Sequence, residues 1–349
     1  MPDSPMAPPP AMRLRVDSGA ISDNWRTLDA MSGTARAAAA VKADAYGVGI
    51  DRAMPTLLDA GCRDFYVAHW CEVAGAIRHA APENVAVLHG PITQADCEYA
   101  RQTGVRPVLN SLAQVGLWQS TGGGPCDLMV DSGMNRLGLR PDELGDPALA
   151  GLEVITFMSH LACADEDSAM NGRQRDLFAS LLAAVPHRRA SLANSAGIAL
   201  GAGFQHDLTR PGVALYGGVV RSELVGKIRP VVGLEAALIQ VRTVPAGETV
   251  GYGAAFTAQR DTRVGIVSLG YADGYLRCWS DVGVFRSGNA PLPVLGRVSM
   301  DMTAIDLSSA PDLAEGDWVS AEYDLPTAAQ RSGLTQYELL TVLGPRLRA

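Results

Sequence analysis

Between Arg36 and Gly217, short apolar runs alternate with longer segments of helical spacing. The runs predict strands at 37–41, 65–69, 85–89, 105–109, 127–130, 154–158, 190–193 and 214–216. The Ala- and Leu-rich segments between them, 53–60, 72–79, 93–103, 112–119 and 169–184, repeat their apolar residues with a helical period. A further helix is expected at 23–31, before the first strand, with Asp23 as its cap. Eight strands alternating with helices over about 200 residues is the count of a parallel (β/α)8 barrel. Beyond 228 the pattern changes: 231–244, 263–269, 293–298, 302–307 and 317–321 read as strands separated by Gly, Pro and Asp turns, and 335–343 as a last helix. The expected fold class is therefore α/β. It has a disordered tail at 1–11, an N-terminal (β/α)8 TIM-like barrel at 12–227 and a C-terminal mainly-β domain at 228–349.

Polar residues fall where such a barrel places its chemistry. Lys42, His69, His89, Asn110, Asp131, His160 and the pair Asn194–Ser195 each follow an apolar run at its C-terminal end, and a barrel gathers those positions on one face. Taken singly, each is explained by a capped strand end, and for His69 and His89 a satisfied structural histidine is the better reading. Seven in register point to a site.

Composition narrows the chemistry. The formal charge of -8 and a pI near 5.3 argue against general nucleic-acid binding, which needs a basic face. No apolar run approaches the length of a membrane span, and the proline-rich start lacks the basic flank and apolar core of a signal peptide. The six cysteines are scattered without CxxC spacing, which fits free thiols in a reducing cytoplasm, and the six histidines lack metal-ligand spacing, so no metal is expected. Lysine is the telling residue: the chain has only Lys42 and Lys227. Arginine stays protonated, whereas a partly desolvated lysine can lose its proton and act as an amine. Lys42 closes the Ala/Val run in AVKADAYG, at the expected barrel mouth.

The loops after the seventh and eighth expected strands read ANSAG and RPGVALYGG. Small residues there let backbone N–H groups approach a phosphate. Beside a barrel-mouth lysine, they suggest pyridoxal 5'-phosphate, which is held by lysine as a Schiff base and takes up carbanion charge.

The same segments resemble the alanine racemases of the pyridoxal-phosphate barrel type. AVKADAYGVG, VDSGMNRLG, MSHLACADE, ANSAG, RPGVALYGG, VGYGAAF, SLGYADGY and GRVSMDM match that family's motifs in family order, from about Arg13 to Arg348. The resemblance implies that Lys42 holds the cofactor and serves one face of the substrate Cα. Tyr252 of a partner subunit would serve the other face, in a head-to-tail homodimer with shared active sites. It implies cofactor contacts from Tyr46, Arg136, His160, Ser195, Arg210, Gly212, Val213 and Tyr337, with Arg210 against the pyridine nitrogen and His160 linking Arg210 to the second base. Arg136, Met300, Asp301 and Tyr271 would meet the substrate alanine, with Arg277 and Arg297 further out along its channel. The implied role is interconversion of L- and D-alanine, supplying peptidoglycan. One position departs from the family: where many relatives carry a carbamylated lysine, this chain has Met129. Arg136 would then need another support, such as a bound anion or Asn135. A racemase of other amino acids, a decarboxylase of the related barrel type and a cofactor carrier remain the alternatives. No cysteine–aspartate motif is recognised in the β-domain, which disfavours the decarboxylase.

Overall fold

The computed structural model describes residues 8–348, so most of the expected tail lies outside the described residues. The chain divides into two compact units. One is Ser18–Arg229; the other runs from Pro230 to the C-terminal end and includes the N-terminal segment up to Asp17.

In the first unit, seven parallel neighbours form one sheet: Ala39–Ala40, Phe65–Val67, Val85–Val87, Arg106–Leu109, Pro125–Met129, Glu153–Met158 and Arg189–Ser191. The sheet closes on itself through Leu208–Thr209. The Asp207 and Arg210 N–H groups donate to the Ala190 and Ala193 carbonyls at 3.1 and 2.8 Å. On the other edge, Ala38 donates to Thr209 and Ala40 to Pro211, at 2.8 and 2.9 Å, and Leu208–Thr209 pairs in parallel with Arg36–Ala37. This is the expected barrel. Its interior is packed by Ala38, Tyr66, Ala86, Val108, Met129, Met158 and Leu208, contributed by successive strands or, for Ala38, by the join between Arg36–Ala37 and Ala39–Ala40. Large and small side chains fill the interior together, so it is a core and not a pore.

Three local expectations change. The eighth strand is Leu208–Thr209, and 214–216 instead belongs to the short 3-10 turn Val213–Tyr216. All four residues of that turn are buried, and a wholly buried turn has the same unbroken apolar pattern as a buried strand. The first helix is Ser18–Met31, so Asp23 lies inside it, ion-paired with Arg26 and Arg229. The helix expected at 72–79 is the 3-10 turn Trp70–Glu72 followed by a single turn, Val73–Ala76.

The second unit is built on one long strand, Val232–Val244. The sheet order is Ala290–Pro293, Val284–Ser287, Trp318–Ala321, Val232–Val244, Thr262–Val267 and Thr303–Asp306, all antiparallel where paired. Residues 12–17, read from the sequence as the barrel's start, belong here: Met12–Val16 pairs antiparallel with the long strand, Leu14 opposite Leu234. The strand expected at 293–298 is displaced to Ala290–Pro293, with Val294 making only a bridge to Ile305. A two-stranded hairpin, Thr249–Val250 with Phe256–Thr257, presents the VGYGAAF segment.

Candidate active site

Lys42 stands where the first barrel strand ends, and the chain after it is conformationally unusual. Ala43, Asp44, Ala45 and Tyr46 all lie in the left-handed region, at φ 53 to 55°. Each such non-glycine residue costs roughly 1–2 kcal/mol, so the turn must be held from outside. The Glu72 carboxylate does this. It accepts the Ala43 N–H on one oxygen and the Ala68 and His69 N–H groups, at 2.7 and 2.9 Å, on the other. Asp44 accepts the Ile50 N–H at 2.7 Å, and Gly47 and Gly49 donate back to the Ala43 and Asp44 carbonyls, both at 2.9 Å. The turn leads into Tyr46, whose ring stacks on Tyr216 with centroids 5.0 Å apart.

The electrostatics ease deprotonation of the amine. Burial lowers the Lys42 pKa first, the Arg136 charge lowers it further, and Glu72 opposes both. Arg136 comes from a loop shaped by Asp131. That carboxylate accepts the Gly133, Met134 and Arg136 backbone N–H groups at 2.7, 2.7 and 3.1 Å, and Asn135 takes a left-handed φ of 56°. Met129 is buried among the interior side chains. Asp131, acting on the backbone, is thus the visible anchor of the Arg136 loop.

Arg210 is buried, with its guanidinium donating to Ser191 Oγ and to the Ser159 carbonyl. Burial lowers its pKa, with Tyr66 and Asp127 opposing. Its charge acts on His160: burial, then Arg210, Arg136 and Lys42, push the imidazole down to about 3. His160 is therefore neutral at physiological pH.

Ser195 Oγ accepts the Gly212 and Ala214 N–H groups at 2.9 and 3.3 Å. A Cβ on Gly212 would lie 2.2 Å from Tyr46 Oη. The Tyr46 and Ser195 hydroxyls thus meet the Gly212–Ala214 backbone in one place, and only glycine leaves room at 212. Hydroxyls and amides converging on one stretch of backbone, together with a lysine of lowered pKa and a buried arginine, fit the phosphate, aldehyde and ring nitrogen of pyridoxal phosphate. The first unit therefore collects Lys42, Tyr46, Arg136, His160, Ser195, Arg210, Gly212 and Val213.

The second unit holds the others. Tyr252 is 67% exposed in its hairpin, and Met300 is 53% exposed. A Cβ on Gly253 would come within 2.8 Å of Arg297 Nη1, so Arg297 crosses that hairpin. Tyr271 and Ala272 donate their N–H groups to the Ser299 and Met300 carbonyls at 3.0 and 2.9 Å, tying the two loops together. The Arg277 guanidinium lies 5.8 Å over the Tyr271 ring. Asp301 pairs with Arg346 at 2.9 Å, and Arg346 also reaches Asp273 at 2.7 Å. Tyr337, on Gln336–Thr341, is 39% exposed.

Comparison with known families decides the assignment. The model of the alanine racemase N-terminal domain matches residues 16–220, and that of the alanine racemase C-terminal domain matches residues 231–349. The chain belongs to the alanine racemase family. The alanine racemase of Acidiphilium cryptum is 41% identical, with 96% of this chain and 97% of that protein covered. A catabolic alanine racemase of Agrobacterium fabrum is also 41% identical, over 96% of this chain and 90% of that one. The crystal structure of the Bartonella henselae alanine racemase, with covalently bound pyridoxal phosphate, superposes at a TM-score of 0.89 and 34% identity, covering 97% and 98% of the two chains.

Several residues that shape this racemase-family site carry no motif of their own. Glu72 could have been found, because HWCE places a carboxylate three residues after the cap position of a turn. Ser159 and Ser191, which hold Arg210, and Tyr216, which supports Tyr46, give no comparable signal. Of the polar strand ends, Asn110 is occupied structurally, donating to the Leu88 and Val108 carbonyls. His69 and His89 pack edge to face at 4.1 Å. No helix of the described residues is long and apolar enough to cross a membrane. Among the same residues, no group of three or more His, Cys, Asp or Glu side chains could hold a metal.

Proposed function

We propose that the chain interconverts L- and D-alanine with pyridoxal 5'-phosphate, by proton exchange between two bases on opposite faces of Cα. The observation that carries this reading is Lys42, a barrel-mouth amine whose pKa is depressed by burial and by Arg136. Bound there, the cofactor supplies an electron sink that acidifies the substrate Cα–H. Lys42 Nζ would hold it until the substrate amine takes its place, and the freed amine would exchange a proton with one face of Cα. Tyr46, Ser195, Gly212, Val213 and Tyr337 hold its phosphate. Arg210, a permanent cation, would face the pyridine nitrogen and disfavour its protonation. A weaker sink favours prompt return of the proton to Cα over side reactions. Neutral His160 lies between Arg210 and the second base without adding charge.

That second base is Tyr252 of the partner subunit, whose Oη exchanges a proton with the opposite face. Met300 and Asp301 cross over with it and frame the pocket, Arg136 orients the carboxylate, and Tyr271 borders the entrance. The exposure of Tyr252 and Met300 supports this arrangement, because large apolar side chains so displayed mark a surface made to be covered. In the cell, the enzyme works in the cytoplasm and supplies D-alanine for peptidoglycan, so a deletion strain should require D-alanine for growth.

The test is the circular dichroism of L-alanine, and separately of L-serine, incubated with the purified protein. Decay of the alanine signal to zero with serine much slower is expected. Equal decay of both would make it a broad-specificity racemase. Persistence of the alanine signal would overturn the reading. Sedimentation should give a dimer.

A further inference from the structure

A cavity of about 550 Å³ opens in the barrel unit, away from the candidate active site. Arg106, Pro125, Glu153 and Arg189 line it, and each is the first residue of its strand. Lys42, Asp131, His160 and Arg210 instead follow strand ends. Starts and ends of parallel strands lie on opposite faces of a barrel, so this cavity is at the N-terminal mouth.

Among the described residues, two of its charged side chains are not ion-paired. Three of its arginines have carboxylates: Arg106 Nε meets Asp127 at 3.2 Å, while Arg188 meets Glu153 and Arg189 meets Asp64, each at 2.5 Å. Among the described residues, Arg101 and Glu83 line the same cavity without an ion-pair partner. They sit on neighbouring elements: Glu83 in the turn Pro82–Asn84, and Arg101 in the last turn of Gln94–Thr103. Just beyond that helix, a Cβ on Gly104 would lie 3.5 Å from Pro82 Cβ. The Arg101 side chain has room because Gly122 has none of its own; a Cβ there would be 2.4 Å from Arg101 Nη1. A second feature points the same way. Arg106 is 5% exposed, its Nη2 has no hydrogen-bond partner, and the Asp64 carboxylate stands off at 3.9 Å. Asp127 and Asp64 balance its charge, so Nη2 leaves this wall an unsatisfied hydrogen-bond donor and not a net positive charge. Ala100, Val105 and Ile155 supply apolar lining beside it.

We propose that this mouth binds a free amino acid with an apolar side chain, its carboxylate on Arg101 and its ammonium on Glu83. A simple anion would answer Arg101 but leave its charge beside the Glu83 carboxylate; a zwitterion satisfies both. The pairing groups are exposed, so binding is weak, with a Kd on the order of 1 mM.

Calorimetric titration of the cofactor-loaded protein tests this with three probes sharing one side chain: L-leucine, 4-methylpentanoate, which lacks the amine, and isopentylamine, which lacks the carboxylate. L-leucine should bind, and each single-charge analogue should bind about tenfold more weakly. Arg101→Gln and Glu83→Gln should each weaken L-leucine about tenfold while leaving the unfolding midpoint unchanged. The proposal falls if L-leucine does not bind, if its binding is unchanged in both variants, or if 4-methylpentanoate binds as tightly. Because the amines of L-leucine and isopentylamine can also meet the cofactor at Lys42, the binding assigned to this mouth is the part that Arg101→Gln and Glu83→Gln remove, which separates it from the racemase reading.

Discussion

The two units prepare their functional residues in opposite ways. In the barrel, several candidate groups are already engaged: Arg210 by two serines, Ser195 by two amides, the Lys42 turn by Glu72. In the β unit, Tyr252 and Met300 project with most of their surface exposed. Preorganisation by surrounding hydrogen bonds fixes charge and geometry before a ligand arrives. Exposure does neither. On the proposed two-base reading, the barrel residues set the electrostatics around the cofactor, and Tyr252 and Met300 acquire their environment only when a partner surface covers them. This contrast leads us to expect that barrel substitutions change cofactor chemistry and stability, whereas β-unit substitutions change turnover alone.

The largest expected effect is Lys42→Ala, which should remove the visible absorbance of bound cofactor and lower activity by about 10⁵-fold or more. Tyr252→Phe should keep that absorbance and the unfolding midpoint while kcat falls by about 10²–10⁴-fold. Exchange of the alanine Cα proton with deuterium should then be lost more for one enantiomer than for the other. A Tyr252→Phe protein active in both directions would remove the second base from the account, and with it the functional half of the contrast.

The fold was legible where the pattern repeats. Alternating apolar runs and helical segments locate most barrel strands because each run is bounded by turn residues. The pattern failed at Val213–Tyr216, where complete burial hides the period, and at Met12–Val16. The latter does alternate, with Met12 and Leu14 buried and Arg13 and Arg15 exposed, but its partner lies more than 200 residues away. Local spacing cannot say which domain such a strand joins. At the site, residues with distinctive chemistry stood out: a rare lysine, and a serine and glycines in phosphate-type loops. Their supports did not, because Ser159, Ser191 and Tyr216 act only through contacts the fold creates.

A smaller effect tests the barrel's electrostatics. The unfolded His160 should titrate near 6.5, whereas in the fold it is held at about 3. Between those values the unfolded chain takes up a proton that the folded one refuses, so stability rises with pH through this window and levels off above it. Acidification from pH 7 to 4 should therefore cost the wild type more than His160→Gln. A difference on the order of 1–3 kcal/mol in urea unfolding is expected. Parallel pH dependences would mean that burial and the charges of Arg210, Arg136 and Lys42 do not keep the imidazole neutral.

The smallest effect concerns the left-handed turn itself. Ala43 is exposed at φ 53°, so its methyl group contributes no burial that could offset the strain. Ala43→Gly relieves roughly 1–2 kcal/mol of left-handed strain. The same change frees the unfolded chain and costs about 0.5–1 kcal/mol in entropy. Strain relief is the larger of the two, so the variant should be more stable by about 0.5–1 kcal/mol in urea unfolding. The glycine is also a looser hinge beside Lys42, so stability should rise while kcat falls or stays level. A destabilised Ala43→Gly protein would mean that the entropy gained by the unfolded chain outweighs the strain relieved, and that the left-handed turn beside Lys42 costs less than its φ values imply.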